Sequence, residues 1–174
     1  QDILSLDQSL KKLGFKVPSQ TIVFLVDKPF QPLNSRPSLT GVFGGVTYII
    51  MNPMPEIGER LVENRSVLFH ERIHGIIRAT YGETSSAFHS AILSEALADF
   101  ISASYLGSPN IGYSAPDYRP IRKIDGAPHL DNLRFDPGNY HNLSTLYSSY
   151  LWKVRGVLGH ELTLSVLKGF LDRF

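Results

Sequence analysis

Residues 69–74 read Phe-His-Glu-Arg-Ile-His, placing His70 and His74 four apart with Glu71 directly after the first. On an α-helix, positions four apart differ by about 40° around the axis, so both imidazoles stack on one face within reach of a single metal ion. Zinc takes imidazole nitrogens at about 2.0–2.1 Å, so one rigid helix can supply half of a tetrahedral site, with a carboxylate beside it to hold a water. Shuffling this composition yields the pattern in on the order of one sequence in a hundred. His-Glu-x-x-His therefore reads as a zinc hydrolase signature. Leu68, Phe69, Ile73, Ile76 and Ile77 surround it on most other sides, which makes the segment a central, buried helix. Two histidines and a glutamate are costly to bury there without a partner, and a shared cation would be one.

A second constellation follows at Ser94-Glu95-Ala96-Leu97-Ala98-Asp99, within a helical period running from Ser86 to Tyr105 through Ile92, Ala96, Phe100 and Ala103. Glu95 and Asp99 fall on one face. A solvated acidic edge would also have this spacing, but Ala, Leu, Ser and Phe flank both acids, and the small residues permit close approach to the first helix. The pair of motifs, HERIH and SEALAD, resembles the gluzincins, the thermolysin-like zinc peptidases, here at minimal domain size. That resemblance implies that Glu95 from the second helix completes a His70, His74, Glu95 ligand set for one Zn2+ per chain. It further implies that Asp99, one turn on, orients a ligand histidine, His70. The alternative metzincin pattern needs a glycine and a third histidine soon after His74, and residues 76–80 offer neither.

A third segment, Asp136-Pro137-Gly138-Asn139-Tyr140-His141-Asn142, precedes a helical run through Leu146, Tyr150, Leu151 and Val154. A Pro-Gly turn and a helix start would account for these residue types. Thermolysin-like peptidases carry an acid at this spacing before a histidine that stabilises the oxyanion, so the resemblance implies that role for His141, with Asp136 orienting it. Tyr140 and Tyr147 are the alternative donors. Tyr81 lies at a different offset from the family's further tyrosine, and that role is not carried over. The remaining histidines are expected outside the site: His89 on another helix face, His129 in a loop, and His160 in an incomplete motif with Leu164 where a second histidine would stand. Arg72, inside the motif but off the metal face, is expected to pair with a carboxylate or to reach solvent along its stem.

At 174 residues, 43% hydrophobic and 19% charged, the chain is long enough for one core, read as a single catalytic domain over residues 1–174. Net charge of +1 with no basic run gives no reason for nucleic acid or a membrane surface, and the apolar runs are too short to span a bilayer. There is no cysteine, so redox compartment is not readable from the sequence. The chain begins at Gln1, which is read as a processed or cloned segment, and the resemblance implies secretion or a bacterial cell envelope. A monomer acting on a peptide or protein is expected.

Along the chain, 2–12 reads as an amphipathic helix, 21–26 as a buried strand, 29–38 as a Pro/Ser-rich loop and 41–52 as one or two strands. Residues 107–138 read as a loop expected to wall the cleft. The expected fold class is α+β, thermolysin-like: a small α/β lobe with a short sheet at 1–65, a central metal helix, and a mostly helical lobe at 86–174. With zinc in place, Glu71 would act as general base on water attacking a peptide carbonyl, and the substrate would lie along residues 48–52 if these form an edge strand. A pseudopeptidase that binds peptide through the same zinc fold, a structural zinc domain, and a hydrolase of another amide or ester are the competing readings.

Overall fold

The computed structural model describes residues 3–25, 38–43, 45–51, 65–82, 88–114, 119–126 and 140–173. Within them the fold is α+β, with helices α1 (Ile3–Lys12), α2 (Arg65–Tyr81), α3 (Phe88–Leu106), α4 (Tyr140–Leu158) and α5 (His160–Leu171). Strands β1 (Gln20–Leu25), β2 (Ser38–Phe43) and β3 (Val46–Met51) form one sheet, and β4 (Asn110–Ser114) and β5 (Arg119–Lys123) form a separate hairpin.

Helix α1 buries Leu6 and Leu10, one turn apart, and carries Lys11 and Lys12 in its last turn, where cations complement the carbonyl end of the helix dipole. Gly14 leaves the helix at φ 87°, a left-handed conformation that a side chain would disfavour, and the chain turns so that the Phe15 amide donates to the Leu10 carbonyl at 3.1 Å. Leu6, Leu10 and Phe15 join Phe69, Ile73, Ile76, Leu97, Phe100, Ile101, Leu164 and Leu167 in the main core. The N-terminal helix thus packs into one core with α2, α3 and α5.

The sheet has the order β1-β3-β2, with β1 parallel and β2 antiparallel to β3. In β3 buried and half-buried residues alternate, and Thr47, Ile49 and Met51 are the buried set. This corrects one expectation: residues 48–51 are not an edge but lie in the central strand, and among the described residues β2 is the edge beside α2. The physical reason is that the stretch read as one or two strands over 41–52 is two, and the first, beginning already at Ser38, pairs with β3 along its full length from Ser38↔Met51 to Phe43↔Val46. The proposed loop at 107–138 is corrected too, since it contains β4 and β5. Residues 29–37 and 127–138 lie outside the described residues.

Gly75 sets how closely α2 approaches the sheet. A Cβ there would lie 2.6 Å from Thr47 Oγ1 and 2.7 Å from its Cγ2, so no other residue fits without displacement. Beside it, Arg72 is 1% exposed. Its guanidinium donates to Asp7 from α1 at 3.0 and 2.7 Å, to Thr47 Oγ1 at 2.9 Å and to the Pro18 carbonyl at 2.9 Å. One buried cation thereby ties α1, the segment before β1, and β3 to the helix that carries the two histidines. On the other side of α2, α3 brings Ala96, Ala98, Ser102 and Ala103 into the interior, and Ser102 Oγ donates to the Ser66 carbonyl at 3.0 Å.

Candidate metal centre

The spacing of His70 and His74 on α2 has the consequence helical geometry demands. Their Nε2 atoms lie 3.0 Å apart, and the rings meet nearly edge to face. Helix α3 presents Glu95 to both: Oε2 stands 3.2 Å from His70 Nε2 and Oε1 stands 3.4 Å from His74 Nε2. One ligand atom from each of these three residues lies within 4.8 Å of the others, in a site that is buried at the histidines and half-buried at the glutamate.

Each histidine is held from behind. His70 Nδ1 stands 2.7 Å from Asp99 Oδ1, and Asp99 is 0% exposed. A proton on Nδ1, shared with the carboxylate, turns the Nε2 lone pair toward the site. His74 Nδ1 lies 2.9 Å from Ser94 Oγ, the residue before Glu95. A single helix, α3, therefore supplies the carboxylate and the supports of both rings.

Asp99 has a second partner that spacing does not reveal. Arg122 on β5 forks onto it, Nε to Oδ2 at 2.9 Å and Nη2 to Oδ1 at 2.7 Å. The hairpin that carries Arg122 is anchored by Ile111, its cross-strand neighbour, which packs with Ala103, Ile124 and Trp152, and by the Gly112 amide, which donates to Ser66 Oγ at 2.8 Å. A buried aspartate requires a countercharge, and that requirement was the available signal; nothing in the sequence chose among Arg119, Arg122 and Lys123.

His141, the second residue of α4, reaches the same place. Its Nδ1 lies 3.4 Å from Glu95 Oε2 and 3.5 Å from Arg122 Nη1, and its side chain is 43% exposed. Tyr147 is 54% exposed. Asp136 and the side chain of Tyr140 lie outside the described residues, as do His129 and the side chain of His89. Away from the site, His160 pairs with Ser104 Oγ at 2.8 Å, and Tyr81 donates to Asp172 at 3.2 Å. Glu71 is buried on the sheet side of α2, where the Thr40 hydroxyl from β2 meets its carboxylate.

The electrostatics follow from this packing. Burial alone would lower the His70 pKa, but Asp99 and then Glu95 outweigh it and raise it to about 10. Burial would raise the Glu95 carboxyl, and hydrogen bonds from His70 and His74 hold it well below its ordinary value. Asp99, likewise opposed by burial, is pulled to about 2 by Arg122 and His70. Burial, with Arg122 and His70, depresses His141 against the pull of Glu95 and Asp99.

Do these residues fit a divalent cation? Three carboxylates, Glu71, Glu95 and Asp99, act on the single guanidinium of Arg122, leaving two negative charges when the imidazoles are neutral. Two imidazoles and a carboxylate are a donor set suited to zinc, leaving a fourth position for water or substrate. The residues fit. Comparisons with protein-family models, with curated proteins and with solved structures find no match to this chain. No described helix is long and apolar enough to cross a membrane.

Proposed function

We propose that the protein is a zinc-dependent peptidase of the gluzincin type, with His70, His74 and Glu95 holding one ion. The observation that carries this reading is the convergence of those three side chains from two packed helices, next to a buried glutamate. Bound there, zinc supplies a Lewis acid that polarises a carbonyl and brings the pKa of water towards about 7. Glu71 takes the proton from the attacking water and delivers it to the leaving amine. His141, beside Glu95 and Arg122, is the donor for negative charge that develops on the carbonyl oxygen. Asp99, held by Arg122, and Ser94 fix the two rings so that their Nε2 atoms stay aimed inward.

A substrate in extended form would pair with the side of β2, next to α2, that carries no partner strand among the described residues. The test combines metal content with cleavage of a peptide library by wild type and Glu71→Gln. Wild type should bind about one zinc and cleave. Glu71→Gln should keep its zinc and lose turnover by at least about 10²–10⁴, the contribution of a general base. Undiminished cleavage by the variant overturns the mechanism, and zinc binding with no cleavage by wild type favours the peptide-binding reading.

A further inference from the structure

Helix α2 turns Glu71 and Arg78, two turns apart, toward the same edge strand, and both meet one residue there. The Thr40 hydroxyl lies within hydrogen-bonding reach of Glu71 Oε2 and 3.2 Å from the Glu71 backbone carbonyl, while Arg78 Nη1 donates to the Thr40 carbonyl. Thr40 and Glu71 are both buried. A hydroxyl has one proton to give. The Glu71 carbonyl, in mid-helix, already accepts the amide four residues on, whereas a carboxylate makes the stronger, charge-assisted bond. The proton therefore goes to Oε2.

We propose that Thr40 is a positioning residue for Glu71: its hydroxyl fixes Oε2, which sets the direction of Oε1, and Arg78 locks the strand that carries it. This rests on Glu71 being the proton acceptor of the reaction proposed above. The arrangement couples substrate pairing to base alignment, because the strand against which a peptide would pair is the strand that aligns the base. Thr40 touches no reacting atom, so its loss should appear in turnover and not in affinity. Valine has the shape of threonine without the proton, and serine keeps the proton with less bulk.

The experiment uses the zinc-loaded chain, with Thr40→Val and Thr40→Ser each made in wild-type and Glu71→Gln backgrounds. Thr40→Val should keep one zinc, hold KM within about threefold and lower kcat by about 10–100-fold, the usual loss when a supporting group is removed. Thr40→Ser should recover most of that loss, and in the Glu71→Gln background Thr40→Val should cost nothing more. Full kcat in Thr40→Val, or a serine variant as poor as the valine one, overturns the proposal. Should Thr40→Val fail to fold, Thr40→Ala goes through the same assays. If zinc-loaded wild type cleaves no peptide, the peptidase reading falls by itself, and the contact is decided by urea unfolding of a Thr40→Val, Glu71→Leu double-mutant cycle. Coupling of about tenfold or more in the unfolding constant supports the contact, and additive single effects overturn it.

Discussion

Arg122 decides how well His70 is held, because it is what allows Asp99 to sit fully buried as an anion. Breaking a buried pair costs about 3–5 kcal/mol where the remaining charge has no other partner, and here Asp99 keeps His70, so that range is the upper bound. Arg122→Met should therefore lower stability by up to about that amount and weaken zinc binding by about 10–100-fold, read by denaturant titration and by competition with a chelator. Wild-type zinc affinity in this variant would mean that Asp99 does not support His70. Proton and metal also compete at this histidine. In the metal-free protein the folded-state pKa is about 10, above the ordinary 6.5. A raised histidine pKa contributes stability that is fully present below 6.5 and is lost as pH rises through the folded value. Zinc needs the imidazole deprotonated, so its affinity should rise over the same window. Thermal scans from pH 6.5 to about 9 should show the chelator-treated protein losing Tm while the gap to the zinc-loaded form widens. A gap that narrows with pH would contradict the linkage. At this scale the sequence was legible where helical periodicity places groups in register, as for His70 and His74 or Glu95 and Asp99. It was silent on Arg122 and Thr40, which reach the site across a hairpin and a sheet edge with no fixed spacing.

The elements position these groups through close approach. Helix α2 can lie against β3 only because Gly75 has no side chain where Thr47 sits, and Thr47 also accepts from Arg72. Gly75→Ala would force Thr47 to move and weaken that acceptance. Although alanine favours helices, overpacking should dominate, costing about 1–3 kcal/mol by denaturant titration. Thr47→Ala in the same chain should return part of it, since it removes the atoms the new Cβ meets. A neutral or stabilising Gly75→Ala would show that the helix and strand can separate freely. Strand order was the least legible level. Residues 41–52 read as one or two strands, but whether 46–51 were edge or centre depended on where the first of two would begin and on which side it would pair, and neither is written in a Ser-Leu-Thr-Gly-Val-Phe pattern. The hairpin β4–β5 was hidden by Pro120 inside a five-residue strand.

At the scale of the whole molecule, the question is whether the metal helix belongs to one cooperative unit. The sequence suggested two lobes around a cleft, because strands precede the motif and helices follow it. Yet Leu6 and Leu10 of α1 pack into the same core as Phe69 and Ile73 of α2, Leu97 of α3 and Leu164 of α5, and the α1 carboxylate of Asp7 holds Arg72 from within the motif itself. Loosening α1 should therefore loosen the metal site. Leu10→Ala removes a fully buried side chain, at a cost of about 2–5 kcal/mol, and should lower the Tm of a single transition. Because zinc binds only the folded form, saturating it at about a hundredfold over Kd should restore about 2.7 kcal/mol to that same transition, in the variant as in wild type. Calorimetry checks both statements at once. If zinc raised one transition while Leu10→Ala lowered a different one, α1 and the two metal-bearing helices would be separate units, and the two-lobe division read from the sequence would be the correct one.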